Sequence, residues 1–276
     1  MLQKGKNFIR RIVGKTEEIR LPDKRYLATP VSVLKPVSVL IPAYEMYGKG
    51  ASFLEKSLDM LQQQSFQNFE VLVSDQSVDD SIQRCCEAYA GKLKVSYVRK
   101  PERGNSCSNV NFALDHARYD IIKILFLDDV LTDSNALERT CKYFHWSKAK
   151  WMISACNHEE IETGRIYHNR FPEPFLDEHL FSAFNPLGCP SVLMFCKNDL
   201  RFDLQLPALM DIDFYFRLMK KYGPPTLFND INVTIGVHPG MVTNNGGAGN
   251  REQVNLELAI VHQKYDRPLK AAGNIS

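Results

Sequence analysis

The feature that most constrains this chain is a regular alternation of short, β-branched apolar runs with segments of helical period. The run "PVSVLIPAY" (residues 36–44) is apolar on both faces and closed by a proline, as a strand buried on both sides requires. Leu54, Leu58 and Leu61 then recur at helical spacing, and "FEVLVSD" (residues 69–75) is a second buried strand. Further on, "DDSIQRCCEAYA" predicts a helix, "LKVSYV" a strand, "SCSNVNFALDHA" a helix capped by Ser106, and "IIKILFL" a fourth strand. Elements alternating at this length predict an α/β fold, a mostly parallel sheet with helices on both faces.

Sheets of that kind bind ligands in the crevice beyond the carboxyl ends of their strands, so the residues just after each strand matter most. Here they are polar: Tyr44 and Glu45 after the first strand, Asp75 closing the second, Asp128 and Asp129 after the fourth. The last two sit in "KILFLDDVLTD", with no cation among the ten residues that follow Lys123. Carboxylates brought together at one sheet edge repel each other, and a divalent cation or a hydrogen-bonded sugar offsets that repulsion.

Beyond residue 150 the alternation is less regular. "WMISAC" predicts a strand, "IETGRIYHN" part of a hairpin, "SVLMFC" a strand, "DIDFYFRLMKKYG" a helix ending at Gly223, "INVTIGVH" a strand and "REQVNLELAIVHQKY" a final helix. Residues 157–191 are aromatic and proline-rich and predict a region that shapes specificity.

Composition narrows the class. The 276 residues are 44% hydrophobic, enough for a substantial core. The net charge of +2 gives no overall field for nucleic acid, so none is expected as a partner. Basic residues do gather at the start: Lys4, Lys6, Arg10, Arg11, Lys15, Arg20, Lys24 and Arg25 stand against Glu17, Glu18 and Asp23. With Phe8, Ile9, Ile12 and Val13 at helical spacing, this arm reads either as a solvated extension or as an amphipathic helix making peripheral contact with an anionic membrane. Seven cysteines without CxxC spacing read as reduced and mostly buried, and with no long apolar run and no signal-peptide core the chain is expected to be cytoplasmic.

The ordered series "VSVLIPAYE", "FEVLVSDQSVDDS", "GNSCSNVNFAL", "ILFLDDV", "MDIDFYFRL" and the "VH" of "GVHPG" resembles the family 2 glycosyltransferases of the GT-A fold, over roughly residues 36–265. The resemblance implies a basic N-terminal arm (residues 1–35), one GT-A domain (36–265, with a nucleotide-sugar half to 130 and an acceptor half from 131) and a C-terminal tail (266–276). It implies an inverting, metal-dependent transfer of a sugar from a nucleotide-diphosphate donor to a hydroxyl of a glycan or lipid-linked acceptor. Pro42, Tyr44 and Glu45 would wall the nucleotide, Asp75 would recognise the base, Arg103 and Asn109 would serve the diphosphate region, and Asp128 would face the ribose. Asp129 and His238 would hold Mn2+ or Mg2+, and Asp211, in the place of the family's "EDxDxxxR" acid, would be the catalytic base. Asp213 and Arg217, one helical turn apart, read as a structural pair.

The chain departs from the family pattern at four places: Glu45 replaces the usual Asn, Ser74 and Gln76 replace the usual Asp and Gly around Asp75, Val130 stands where the last acid often sits, and Met210 replaces the first acid before Asp211. These departures leave an inactive glycan-binding or scaffold protein as a competing reading. A sugar nucleotidyltransferase lacks support because "IPAYEMYGKG" has no Gly-rich phosphate loop, and a dinucleotide oxidoreductase because no GxGxxG follows a strand.

Overall fold

The computed structural model describes residues 10–12, 15–17, 22–239 and 248–266. At the start, β1 (Arg10–Ile12) and β2 (Lys15–Glu17) pair antiparallel. Of the two readings of this arm, the amphipathic helix does not hold at Ile12, which lies in a strand, while Phe8, Ile9 and Val13 fall outside the described residues. β-branched Ile12 and Thr16 favour extended backbone, and so short an apolar stripe cannot nucleate a helix by itself.

The main sheet follows the predicted alternation. Its strands are β3 (Val37–Ala43), β4 (Phe69–Asp75), β5 (Val95–Arg99), β6 (Ile121–Ile124), β7 (Val130–Leu131), β8 (Trp151–Glu160), β9 (Arg165–Arg170), β10 (Leu193–Cys196) and β11 (Thr226–Val237). The helices are α1 (Gly50–Gln62), α2 (Ser81–Ala88), α3 (Ser106–His116), α4 (Ala136–Trp146), α5 (Asp177–Phe181), α6 (Met210–Tyr222) and α7 (Ala248–Lys264). Spatially the strands run β5-β4-β3-β6-β10-β8-β11-β7, with β9 hydrogen-bonded to β8. All seven residues of β3 and all seven of β4 are buried, and the polar Ser38 and Glu70 among them pair with each other at 2.6 Å.

The order of the strands places the site. β3, β4, β5 and β6 are parallel; the chain moves outward from β3 to β5 and then returns to the other side of β3 for β6. The β3/β6 boundary is therefore a topological switch point, where the connections leave to opposite sides and open a crevice at the carboxyl ends. Tyr44, Glu45, Asp128 and Asp129 all follow those two strands. Antiparallel β10 then joins this half to β8, β9 and β11.

The final helix braces α6. Buried Glu257 of α7 accepts from the N–H of Ala208 at 2.9 Å and of Leu209 at 2.8 Å, satisfying donors at the start of α6. Asp213, fully buried, accepts from Arg217 Nε at 2.8 Å, Lys264 Nζ at 2.9 Å and the Tyr265 hydroxyl at 2.7 Å. The expected Asp213–Arg217 pair is present, and α7 completes it. The helix cap of α3 differs from expectation: Asn105, not Ser106, supplies the side-chain oxygen, accepting from Ser108 N–H at 3.0 Å. No helix among the described residues is long and apolar enough to cross a membrane.

Candidate active site at the strand ends

At the nucleotide side, α3 ties the ends of β3 and β4 together. Asn109 Nδ2 donates to the Ala43 carbonyl at 3.0 Å, and its Oδ1 accepts from Ser74 Oγ at 2.5 Å. Pro42 is buried opposite Ser74 in the same register. Both ends of the Asn109 amide are thus engaged within the protein, bracing the strand ends from beneath.

Asp75 is also engaged. Its Oδ1 accepts from the N–H of Ser77 at 2.8 Å and from the Ser77 hydroxyl, and its Oδ2 accepts from the Tyr97 hydroxyl at 2.8 Å. Arg99 Nε lies 3.6 Å away. A base N–H would have to join this network or displace the Tyr97 hydroxyl.

Tyr44 and Glu45 leave the sheet half-buried. Burial, followed by the charge of Asp128, pushes the Tyr44 phenol upward. Glu45 Oε1 receives Arg103 at 2.7 Å, and Glu45 Oε2 is buried with no hydrogen-bond partner among the described residues. The arginine expected near the diphosphate is therefore at the crevice, in an ion pair with the loop opposite.

The acidic pair splits in two directions. Asp128 points to the crevice, with Oδ2 3.2 Å from His238 Nε2, and the His238 ring packs on Phe53 of α1 at 5.3 Å. Asp129 turns inward: Oδ1 accepts from the Gly236 N–H at 3.0 Å, and Oδ2 lies 3.9 Å from Cys189 Sγ. Burial, then the neighbouring Asp128 charge, pushes the Asp129 carboxyl well above the usual carboxylate range. Behind it, the ammonium of buried Lys123 donates to the Ser191 carbonyl, and burial pushes that ammonium down to about 8. Gly236 is what lets β11 come so close, because a Cβ there would stand 2.2 Å from the Asp128 carbonyl oxygen.

Asp211 opens α6 on the acceptor side. Its Oδ1 accepts from the N–H of Ile212 at 2.7 Å and its Oδ2 from Asn185 Nδ2 at 2.6 Å. Burial raises its pKa to about 6, with those hydrogen bonds and the Arg170 charge acting against the rise. Cys189 Sγ approaches Asp129, and its thiol is pushed up first by burial and then by the Asp129 charge. Asn185, Arg170, Cys189, Gly236 and Lys123 were not foreseen at this site. Only Asn185 carried a readable signal, as the Asn-Pro turn of "FNPLGCP".

Among the described residues no three Asp, Glu, His or Cys side chains converge closely enough to hold a metal ion unaided. The donor types nonetheless suit a hard divalent cation, since the Asp128 carboxylate meets the His238 imidazole at the strand ends and Asp129 follows next in the chain. That is a partial ligand set, of the kind a diphosphate oxygen or water completes.

A parallel, nucleotide-type half with acids at its switch point, joined by one antiparallel strand to a half bearing a carboxylate at a helix start, is the GT-A architecture expected from the sequence. The chain belongs to glycosyl transferase family 2, whose pattern matches residues 38–222. It is 27% identical over 222 residues to an uncharacterized glycosyltransferase of Rickettsia typhi, covering 75% of this chain and 66% of that protein. It thus spans just under two thirds of that relative's length. Among solved structures, Staphylococcus aureus TarS (residues 1–349) in complex with UDP-GlcNAc superposes with a TM-score of 0.61 at 18% identity, over 85% of this chain and 68% of that one. The mannosyltransferase PcManGT of Pyrobaculum calidifontis, in complex with GDP-Man and Mn2+, gives a TM-score of 0.58 at 19% identity, over 90% and 70%.

Proposed function

We propose that this chain transfers a sugar from a nucleotide-diphosphate donor to an acceptor hydroxyl with inversion at the anomeric carbon. The observation that carries this reading is the placement of Asp211: a half-buried carboxylate at the start of α6 with a pKa of about 6, held by the Asn185 amide and the Ile212 N–H. A base poised near neutrality can take the proton of an attacking hydroxyl, and a single base on the side away from the leaving group needs no covalent intermediate. The solved relatives bound to UDP-GlcNAc and to GDP-Man with Mn2+ support donors of this class.

In this reading residues 36–130 form the donor half and residues 131–265 the acceptor half. Tyr44 and the Asp75 network receive the base and ribose, with Pro42 and Asn109 bracing the strand ends that carry them. Arg103, exchanging Glu45 for phosphate, receives the diphosphate. Asp128 borders the ribose, and Asp129 and His238 would hold a divalent cation, which when bound would neutralise charge on the leaving nucleotide. Asp211 orients the acceptor hydroxyl and takes its proton.

The test is incubation of the purified chain with a panel of nucleotide sugars, Mn2+ and hydroxyl acceptors, the product anomer being read by NMR. Transfer with inversion, lost in Asp211→Asn, is the expected result. Retention of configuration, or transfer by Asp211→Asn at the parent rate, overturns the base assignment. No donor binding or turnover across the panel favours the glycan-binding alternative.

A further inference from the structure

We propose that Asn185 is a positioning residue for Asp211, locked by its own turn so that its amide nitrogen holds one carboxylate oxygen and leaves the other lone pairs to the acceptor hydroxyl. The inference rests on the reading of Asp211 as the base. The contact spans 26 positions and is made only by the fold.

All four hydrogen-bonding positions of the Asn185 amide are used. Oδ1 accepts from the N–H of Leu187 at 2.9 Å and of Gly188 at 3.0 Å, while Nδ2 donates to the Gly188 carbonyl at 2.8 Å and to Asp211 Oδ2 at 2.6 Å. Exchanging oxygen and nitrogen would set an NH2 group against two N–H donors, so the turn itself dictates which end faces Asp211. The turn is in turn pinned from three directions. The Arg170 guanidinium of β9 donates to the Asn185 carbonyl, the Glu173 N–H donates to the Pro186 carbonyl at 3.1 Å, and the Tyr215 hydroxyl of α6 donates to the Gly188 carbonyl at 3.1 Å.

A donor aimed at an ionised carboxylate favours the ionised form, which is the form a base needs. The other charged or titratable groups facing Asp211 are Arg170 from β9, Tyr215 from its own helix and Cys189 from the loop before β10. Burial keeps the Tyr215 phenol and the Cys189 thiol protonated at neutral pH. His158 of β8 lies one layer further out, beside His168 and Arg170, and burial lowers its pKa.

Two variants test this on the intact chain. Asn185→Ser keeps a short side-chain oxygen for the turn but cannot reach Asp211; Asn185→Asp keeps the turn and replaces the donor with a like charge. Asp211 is titrated by carbon-13 NMR of labelled aspartate carboxyls, its signal identified by its loss in Asp211→Asn, and the pH dependence of kcat is measured alongside. The Asp211 titration should move upward in both, more in Asn185→Asp, by about one pH unit or more. The acidic limb of kcat should follow, giving roughly a tenfold loss at pH 6 that shrinks at alkaline pH, with KM for the donor unchanged. An Asp211 titration identical to the parent's in both variants overturns the inference. A titration that moves while the kcat limb stays still leaves the orienting contact standing and sinks the base reading instead.

Discussion

His238 Nε2 lies 3.2 Å from Asp128 Oδ2, joining the end of β11 to the end of β6 across 110 residues of sequence. The contact fixes an imidazole beside two adjacent carboxylates, one facing the crevice and one, Asp129, turned toward Gly236 and Cys189. In the proposed reading, a cation entering there would meet the Asp128–His238 pair, with Asp129 next to it in the chain. Added Mn2+ should therefore raise the melting temperature of the parent chain, and the rise should shrink in Asp129→Asn and in His238→Ala. Equal Mn2+ stabilisation of parent and both variants in a thermal-shift titration would remove these residues from the metal role.

Asp211 holds its proton more tightly in the folded chain, at about 6, than the free side chain does at 3.8. Its contribution to stability is thus fully present below about pH 4 and lost as pH rises through about 6. Asp211→Asn removes that loss, so the variant should be more stable than the parent at pH 8, by on the order of 3 kcal/mol, with no difference near pH 3. Its transfer rate should fall by about 100-fold or more. Denaturation at the two pH values, together with a rate assay, checks both halves.

Arg103 is half-exposed and paired with Glu45 at 2.7 Å across the mouth of the crevice. In the proposed reading a diphosphate would compete with that carboxylate for the guanidinium. Arg103→Ala should weaken binding of a nucleoside diphosphate by roughly tenfold while leaving the nucleoside unaffected, since one charge-assisted contact is removed. Calorimetry with the two ligands decides it; equal loss for both would mean that the arginine serves the loop rather than the phosphates.

Asp213 receives Arg217, Lys264 and Tyr265 with no exposure to solvent. Asp213→Ala would leave two cations around a buried space and should cost about 3–5 kcal/mol, measured by chemical denaturation. A loss below about 1 kcal/mol would show that α7 does not depend on this anchor.

Gly236 permits the approach of β11 to the acidic pair, its missing Cβ standing where the Asp128 carbonyl is only 2.2 Å away. Gly236→Ala should push the strand off, weaken Mn2+ stabilisation and lower the melting temperature together. A variant that folds and responds to Mn2+ as the parent does would show that the strand can yield there.

Much of the architecture was legible from the chain alone. The apolar runs of β3, β4 and β8, the helix ending at Gly223 and the hairpin around residues 161–164 lie where periodicity predicts them. The cap of α3 moved by one residue, to Asn105, because both neighbours are good caps and only the turn geometry chooses between them. The helix read from Ile12 and its neighbours was replaced at Ile12 by a strand, because the apolar spacing there is too short to outweigh β-branched preference.

The sequence by itself determined that acids would gather at one edge of a parallel sheet, because strand period and strand ends are local properties and parallel strands present the same end to the same side. It also placed Asp211 at a helix start. Only the tertiary structure decided what each carboxylate faces: Asp75 toward Tyr97, Glu45 toward Arg103, Asp128 toward His238, Asp129 inward to Gly236 and Asp211 to Asn185. Those partners lie between 22 and 110 residues away, and which of them meet depends on how the helices and β11 pack around the sheet, a choice no local pattern encodes.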